Sequence, residues 1–244
     1  MDYSSPWSLA LAFTLLWSAL FILGNLIERA WRTHAARPFP ERVNSHNGTA
    51  GSALAILHAL VIVASPALTG LKTNFGGENT PGQSMLVGFL MAFMLVDAVA
   101  MGVAGDTDRG RWLHHVLGFV GAAGALFSGA SAAEALWSAA IAEASLCFYL
   151  RGLVVSLDGR GGPWDRRAQR GFTAVFLVAR GLLMPILLVL VLRSPDSLLV
   201  VKIVGVGLTG LGLYWSWGVI TAGAKSQWQD PAQPTPRPDD STAS

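Results

Sequence analysis

The residues of this sequence with the clearest chemical potential are polar side chains inside long apolar segments. An ionised side chain near the centre of a bilayer costs roughly 2.5–3.5 kcal/mol, so each one should face a cavity or a partner. Histidine moves protons near neutral pH and can act as a nucleophile, a carboxylate orients an imidazole, and arginine binds phosphate or carboxylate groups. These residues are His58, Asp97, His114, His115, Glu143, Arg151 and Arg180. Together they predict a helix bundle around an internal polar cavity, lined by residue types that suit such chemistry.

The spacing of these residues adds some geometry. Glu143, Cys147 and Arg151 lie four residues apart and therefore share one face of a helix. His114 and His115 are adjacent, so in a helix their side chains point about 100° apart. One imidazole can line a cavity while the other faces a neighbouring helix. The spacing alone does not decide which of the two is the reactive one.

The elements that must position these groups are predicted to be membrane-spanning helices. Hydrophobic residues make up 52% of the chain and charged residues 13%, which is outside the range of ordinary soluble domains. The apolar residues form blocks long enough to cross a bilayer core, which takes roughly 17–25 residues. We therefore predict an all-α polytopic membrane protein with about seven spans. The predicted spans are Trp7–Ile27, Gly48–Leu68, Ser84–Val103, Trp112–Phe127, Glu134–Leu157, Ala168–Leu192 and Leu198–Ala222.

Basic residues alternate between the predicted loops. The first, third and fifth loops and the C-terminal tail are rich in arginine, whereas the other loops contain only Lys72 and Arg193. The positive-inside rule then places the N-terminus outside and the C-terminus in the cytoplasm. The arginine-rich, alanine-rich composition favours a bacterial inner membrane. Residues 1–30 are predicted as the first helix, 31–224 as a six-helix domain, and 225–244 as a disordered tail.

Other motif-like strings point to packing or position. Gly205, Gly207 and Gly210 fit a dinucleotide fingerprint by letters, but they lie in an apolar span without a preceding strand and predict close helix packing. The residues that follow His114 on its helix face form a smooth surface that another helix or an acyl chain can approach: Gly118, Gly121 and Ala125. Four tryptophans near span ends are predicted to lie in the interfacial aromatic belt: Trp7, Trp112, Trp215 and Trp217. No metal site is predicted, because the few histidines are scattered and the chain has one cysteine.

The polar residues also resemble the pattern of the TLC-domain family, which includes the ceramide synthases and smaller relatives linked to membrane-lipid composition. The resemblance covers roughly Arg42 to Leu192 and implies a six-helix barrel around a lipid-sized cavity, preceded by one extra helix. The matching strings are Ile56-Leu-His58-Ala-Leu60, Asp97, His114-His115, Glu143-Ala-Ser145-Leu-Cys-Phe148-Tyr-Leu-Arg151 and Phe176-Leu-Val-Ala-Arg180.

The resemblance implies a membrane-embedded lipid acyltransferase. In ceramide synthases the histidine pair is understood to transfer an acyl group from acyl-CoA to an amine, which makes His114 and His115 the catalytic candidates here. Asp97 and Glu143 would orient a histidine or move its proton. The implied substrate- and lipid-binding residues are His58, Ser145, Phe148, Arg151, Phe176 and Arg180. The donor would be acyl-CoA or a phospholipid and the acceptor a lipid amine or alcohol. No other cofactor and no nucleic-acid partner are implied.

One departure from the ceramide-synthase pattern argues against a sphingoid base as the acceptor. Those enzymes carry an acidic cluster after the arginine of the fifth span, whereas here Leu153-Val-Val-Ser-Leu-Asp158-Gly contains one aspartate. A non-catalytic lipid-binding or lipid-sensing protein is the alternative function. A transporter is less favoured, because no inverted repeat is evident in the sequence.

The same polar residues also have purely structural interpretations. The histidine pair can satisfy hydrogen bonds between helices, and His58 can be an ordinary packed histidine. Glu143 and Arg151 can neutralise each other and lock two helices together. Arg180 lies close to Gly181 and Pro185, so it can cap a kinked helix or pair with Asp97.

Overall fold

The computed structural model describes residues 5–34, 48–69, 75–143 and 163–228. Within these ranges the chain is helical and contains no β-strand, only an isolated bridge between Glu78 and Ala130. The α-helices are α1 (Pro6–His34), α2 (Gly48–Thr69), α3 (Pro81–Val103), α4 (Arg109–Ser128), α5 (Ala132–Ala142), α6 (Pro163–Phe176), α7 (Met184–Arg193) and α8 (Leu199–Trp228), and a π-helical segment (Leu177–Leu183) joins α6 to α7. The all-α prediction is thus confirmed for the described residues.

Four helical stretches are long and apolar enough to cross a membrane: Pro6–Ala30, Pro81–Val103, Arg166–Arg193 and Leu199–Thr221. A set of such stretches is typical of a membrane-spanning protein. The second and fourth predicted spans are helices as well, although shorter or less apolar. Within the fifth predicted span, Ala132–Ala142 is helical and Glu143 is its C-cap, and positions 144–157 lie outside the described residues. Helix α8 continues to Trp228, past the predicted start of the tail at residue 225.

Two helices begin before their apolar segments do, because polar side chains cap their N-termini. Thr80 is the N-cap of α3, its hydroxyl accepts a hydrogen bond from the Gln83 N–H, and the Gln83 side chain accepts from the Thr80 N–H in return. Pro81 follows at the first helical position, where its missing N–H leaves no hydrogen bond unmade. Asp108 is the N-cap of α4, and its carboxylate accepts hydrogen bonds from the first helical turn.

The Asp108 cap makes a testable contribution to stability. Its carboxylate accepts hydrogen bonds from the backbone N–H groups of Gly110 and Arg111, at 2.9 and 3.1 Å. These hydrogen bonds hold the pKa of Asp108 below its ordinary value of 3.8, and the bond from the Arg111 N–H contributes most. The group therefore stabilises the fold above the unfolded-state pKa and loses this effect as the pH falls through the lower folded-state pKa. Replacing Asp108 with alanine should cost about 1 kcal/mol at neutral pH.

Thermal unfolding in detergent, followed by circular dichroism between pH 7 and pH 3, measures this contribution. Asp108→Asn is the matched control, because asparagine caps equally well but does not titrate. The wild type should lose stability relative to Asp108→Asn below pH 3.8. Parallel pH profiles for the two proteins would contradict the assignment.

Small residues let α4 and α8 approach closely. A Cβ atom added at Gly124 would lie 2.7 Å from Val200 Cγ1, and one at Gly121 would lie 2.9 Å from Val204 Cγ1. A Cβ atom at Gly207 would lie 2.8 Å from Leu117 Cδ1. The close packing predicted for both glycine-rich helices is therefore confirmed at these positions. It brings the start of α4, with its histidines, against α8.

Helix α3 lies at the centre of the described bundle. It contacts α1, α2, α4 and α5, and its buried side chains form the largest apolar cluster together with residues of its neighbours. Helix α4 also packs on α8, α8 on α7, and α5 on both α2 and α7. Helix α1 packs on α2 and α3 with most of its surface exposed. The polar residues of α3, α4 and α5 therefore face one another inside the bundle.

The connections after α2, α4 and α7 meet in a polar contact, which we call the loop junction: Gly76, Asn79, Ser131, Glu134 and Ser197. The fully buried Glu134 carboxylate accepts from the Gly76 N–H and from the Ser197 hydroxyl, both at 2.7 Å. Gly76 has a φ of +85°, and a Cβ atom there would lie 2.4 Å from the Asp196 carbonyl carbon. Both the backbone conformation and the space thus require glycine at this position.

Two other side chains complete the loop junction. The Asn79 amide donates to the Ala125 carbonyl at 2.7 Å, and its oxygen accepts from the Ala132 N–H at 2.8 Å. Ser131 accepts from the Leu198 N–H at 3.1 Å. The junction therefore fixes the ends of α4, α5 and α8 relative to one another.

Candidate functional site

Asp97 of α3 and His115 of α4 form a buried pair. His115 Nε2 lies 3.2 Å from Asp97 Oδ2, and both side chains are more than nine-tenths buried. This distance is short enough for a hydrogen bond between the imidazole and the carboxylate. A carboxylate in this position fixes the orientation of the ring and stabilises its protonated form. Asp97 is thus in contact with one member of the histidine pair.

His114 points to a different part of the bundle. Its ring lies edge-on to that of His115, with 5.6 Å between centroids, and edge-on to the indole of Trp215 on α8 at 5.9 Å. His114 Nδ1 is buried and has no hydrogen-bond partner among the described residues. The two histidines thus have different surroundings: His115 is paired with a carboxylate, and His114 has a ring nitrogen available to a bound group.

A second histidine and carboxylate approach each other on α2 and at the end of α5. His58 Nδ1 lies 3.5 Å from Glu143 Oε1, although neither ring nitrogen of His58 makes a hydrogen bond within the described chain. The His58 ring stacks on Phe93 at 3.8 Å between centroids and 10° between planes. Trp17 of α1 meets the His58 ring edge-on at 5.9 Å and donates its indole N–H to the Phe89 carbonyl. His58 is therefore held by aromatic rings on two sides and by a carboxylate near one nitrogen.

A small cavity lies between His114 and Glu143. Its volume is about 40 Å³, and its polar lining comes from His114, Glu143 and Ser138 among apolar side chains of α3, α4, α5 and α8. This is room for a few water molecules, and it is far below the roughly 300–1,000 Å³ of a typical ligand pocket. Glu143 is the last residue described before 144–162. The lipid-sized cavity implied by the resemblance therefore stays a prediction.

Arg180 lies in the π-helical segment and reaches across to α5. Its Nη2 donates to the Ala142 carbonyl at 3.1 Å, which satisfies a backbone oxygen at the described end of α5. Its guanidinium carbon lies 5.6 Å from the Trp215 ring and 6.0 Å from the Phe176 ring. Trp215 thus contacts both Arg180 and His114. A buried cation beside the cavity residues provides positive charge for an anion that forms during a reaction.

The π-helical register has a local cause and a functional consequence. Pro185 has no N–H to give to the preceding turn, and Gly181 next to Arg180 leaves space beside Ser216 of α8. Such π-helical turns often occur at functional sites, because they turn one side chain out of the ordinary helical register. Here the turn contains Arg180. The irregularity expected near Gly181 and Pro185 is confirmed.

The structure therefore brings together most of the site residues predicted from the sequence. His58 meets Glu143, and Asp97 meets His115. His114 and Arg180 both contact Trp215, and Arg180 also lies near the Phe176 ring. Ser145, Phe148 and Arg151, together with Cys147, lie outside the described residues.

The sequence analysis did not identify Trp17, Phe93 or Trp215 as site residues. Trp215 was assigned to the interfacial belt, whereas the structure places it against His114 and Arg180. Trp7 and Trp217, which received the same assignment, are largely exposed. A signal for Trp17 existed, because it lies near the middle of its span rather than at an end.

Comparison of the chain with protein-family models, with curated proteins and with solved structures gives no match.

Proposed function

We propose that this protein is a TLC-like membrane enzyme that transfers a fatty acyl group to a lipid amine or alcohol. The observation that supports this most strongly is the arrangement of His114. His114 lines the cavity that Glu143 also lines, and its Nδ1 has no hydrogen-bond partner among the described residues, while the neighbouring His115 is paired with Asp97. A buried neutral imidazole next to acid–base groups is a competent nucleophile near neutral pH.

The proposal includes a helix arrangement and an orientation. Contacts run from α2 to α3, α4, α8, α7, α5 and back to α2, which supports a closed six-helix barrel with α1 outside it. The alternation of basic loops supports seven spans with the N-terminus outside and the C-terminus in the cytoplasm. In this orientation the N-terminal end of α4, which carries His114 and His115, lies on the cytoplasmic side. The arginine-rich third and fifth loops lie on the same side. An acyl-CoA donor would approach from there, and a bacterial inner membrane fits this topology.

In the proposed reaction His114 accepts and then releases the acyl group. His114 Nδ1 attacks the thioester carbonyl, the C–S bond breaks, and the CoA sulfur leaves with the electron pair of that bond. The proton lost from His114 Nε2 passes to the CoA thiolate by way of His115, which Asp97 orients. In the second step the acceptor nitrogen or oxygen attacks the acyl carbon, and the C–N bond to His114 breaks. The acceptor proton then passes to the imidazole, with Glu143 as the relay across the cavity.

The test of this proposal is the intact mass of the detergent-purified protein after incubation with a long-chain acyl-CoA. We expect an adduct with the mass of one acyl group, which hydroxylamine removes. The adduct should disappear in His114→Ala and persist, at reduced yield, in His115→Ala. Cys147→Ala is the control that excludes a cysteine thioester, and it should keep the adduct.

Two outcomes would contradict the proposal. An adduct that survives in His114→Ala would assign the nucleophile elsewhere. Absence of any adduct, together with no turnover in a screen of lipid amines and alcohols and with lipid still co-purifying, would favour the non-catalytic lipid-binding function.

A further inference from the structure

An open groove runs between α1 and α3 on the outer surface of the bundle, away from the candidate site. Its volume is about 510 Å³. The wall from α3 is apolar, and the wall from α1 is apolar until it reaches polar residues at one end, where Asn25 and Arg29 lie. Both of these side chains are exposed, so the polar end of the groove is accessible.

The groove follows from the sizes of the side chains along the contact between α1 and α3. Near the start of both helices, a Cβ atom added at Gly88 would lie 3.4 Å from the Phe13 ring and 3.5 Å from Leu9 Cβ. Towards their C-terminal ends the facing residues include the small side chains of Ser18, Ala100 and Ala104, which do not fill the space between the helices. The groove is thus part of the packing of these two helices.

The dimensions of the groove match one leaflet of a bilayer. Its α1 wall runs from Ser18 to Arg29, which at 1.5 Å per residue is roughly 16 Å. The hydrocarbon core of a bilayer is about 30 Å thick, so each leaflet contributes about half of that. The positive charge of Arg29 lies at the end of the groove where α1 leaves the apolar region, at the level expected for lipid headgroups.

We propose that this groove is a binding site for one anionic phospholipid of the membrane. An acyl chain lies along the apolar walls between Ile22 and Val99, and the phosphate-containing headgroup contacts Arg29. A neutral lipid would fill the same apolar walls but gain less at the arginine, so charge selects the occupant.

This lipid is distinct from the substrate of the candidate site. Phe21 forms part of the groove wall and contacts Phe93, whose other contacts include the stacked ring of His58. An aromatic layer thus separates the groove from the His58–Glu143 pair. Binding in the groove stabilises the attachment of α1 and involves no transfer reaction. The groove proposal therefore does not depend on the proposed function.

Native mass spectrometry of the full-length protein, with phosphatidylglycerol or phosphatidylcholine added to the detergent, tests the proposal. We expect one phosphatidylglycerol to remain bound at collision energies that remove phosphatidylcholine. Arg29→Gln should weaken phosphatidylglycerol retention by roughly fivefold and leave phosphatidylcholine unchanged. Ala100→Phe, which places a ring in the groove, should reduce retention of both lipids.

Two further variants keep the test decisive. Arg193→Gln removes a positive charge at the end of α7, far from the groove, and should bind both lipids as the wild type does. Ala104→Phe fills the groove from the exposed C-cap of α3 and replaces Ala100→Phe if that variant does not fold. Equal retention of the two lipids by the wild type, unchanged retention in Arg29→Gln, or unchanged retention in the groove-filling variant would each overturn the proposal.

Discussion

Replacing Asp97 with asparagine should lower the rate of acyl transfer by about 10²–10⁴-fold, the range typical for loss of acid–base assistance. Asp97 lies 3.2 Å from His115 Nε2, and both groups are buried. A neutral amide cannot stabilise a protonated imidazole as a carboxylate does, and it permits either ring orientation. The effect should fall on the turnover number more than on KM, because Asp97 acts through His115 rather than through the bound lipid.

The measurement is the rate of product formation by the purified protein, with the acceptor found in the screen described above. Glu78→Gln is the matched control, because it makes the same change from carboxylate to amide at an exposed position outside the bundle. Thermal unfolding of both variants separates a catalytic loss from a folding defect. Full activity in a folded Asp97→Asn protein would exclude the His115–Asp97 pair from the reaction.

Replacing Glu134 with alanine should lower the free energy of unfolding by about 2–6 kcal/mol. Its carboxylate is fully buried and accepts hydrogen bonds from the Gly76 N–H and the Ser197 hydroxyl. Truncation leaves the buried Ser197 hydroxyl and the half-buried Gly76 N–H without this acceptor, at a cost of about 1–3 kcal/mol for each donor that water does not reach. Because the loop junction joins three connections, its loss should also loosen α5 against α7 and α8.

Chemical unfolding in mixed micelles, followed by tryptophan fluorescence, measures the loss. Glu134→Gln retains one acceptor oxygen and should show an intermediate effect, which keeps the test informative if the alanine variant does not fold. Glu78→Ala, an exposed neighbour of the loop junction, should change the free energy of unfolding by less than about 0.5 kcal/mol. Equal stability of Glu134→Ala and Glu78→Ala would contradict the role assigned to the junction.

The sequence predicts the helices better than it predicts their ends. The second span, predicted as Gly48–Leu68, is observed as Gly48–Thr69, because its apolar residues alone define it. The third begins at Pro81 instead of Ser84, since a capping box extends it past the apolar segment. Helix α1 continues to His34 because arginine-rich turns remain helical where they leave the apolar region. Hydropathy reports the apolar length of a helix, whereas capping decides where it ends.

The sequence predicts most of the site residues but not which of them contact one another. Charged and histidine side chains inside apolar spans were identified because their burial needs a partner. Which carboxylate meets which histidine depends on the rotation of each helix, and in spans that are apolar on all sides the sequence does not fix that rotation. Trp17 shows the same limit: its position near the middle of the span argues against the interfacial belt, but the sequence does not decide whether its ring faces lipid or the core. Glu134 lies in the first turn of a helix, where acidic residues are common. Only the fold shows that its carboxylate accepts hydrogen bonds from Gly76 and Ser197.

The packing of Trp17 and Phe93 around His58 also bears on the order in which the protein assembles during synthesis. Chains are made from the N-terminus, so α2 and its histidine enter the membrane well before Glu143 is available. Trp17 on α1 and Phe93 on α3 belong to the neighbouring segments, and they can cover the imidazole as soon as these three helices meet. The polar partner then arrives with α5 at a ring that is already shielded from lipid. The aromatic contacts can thus keep the His58 imidazole away from lipid until Glu143 is inserted.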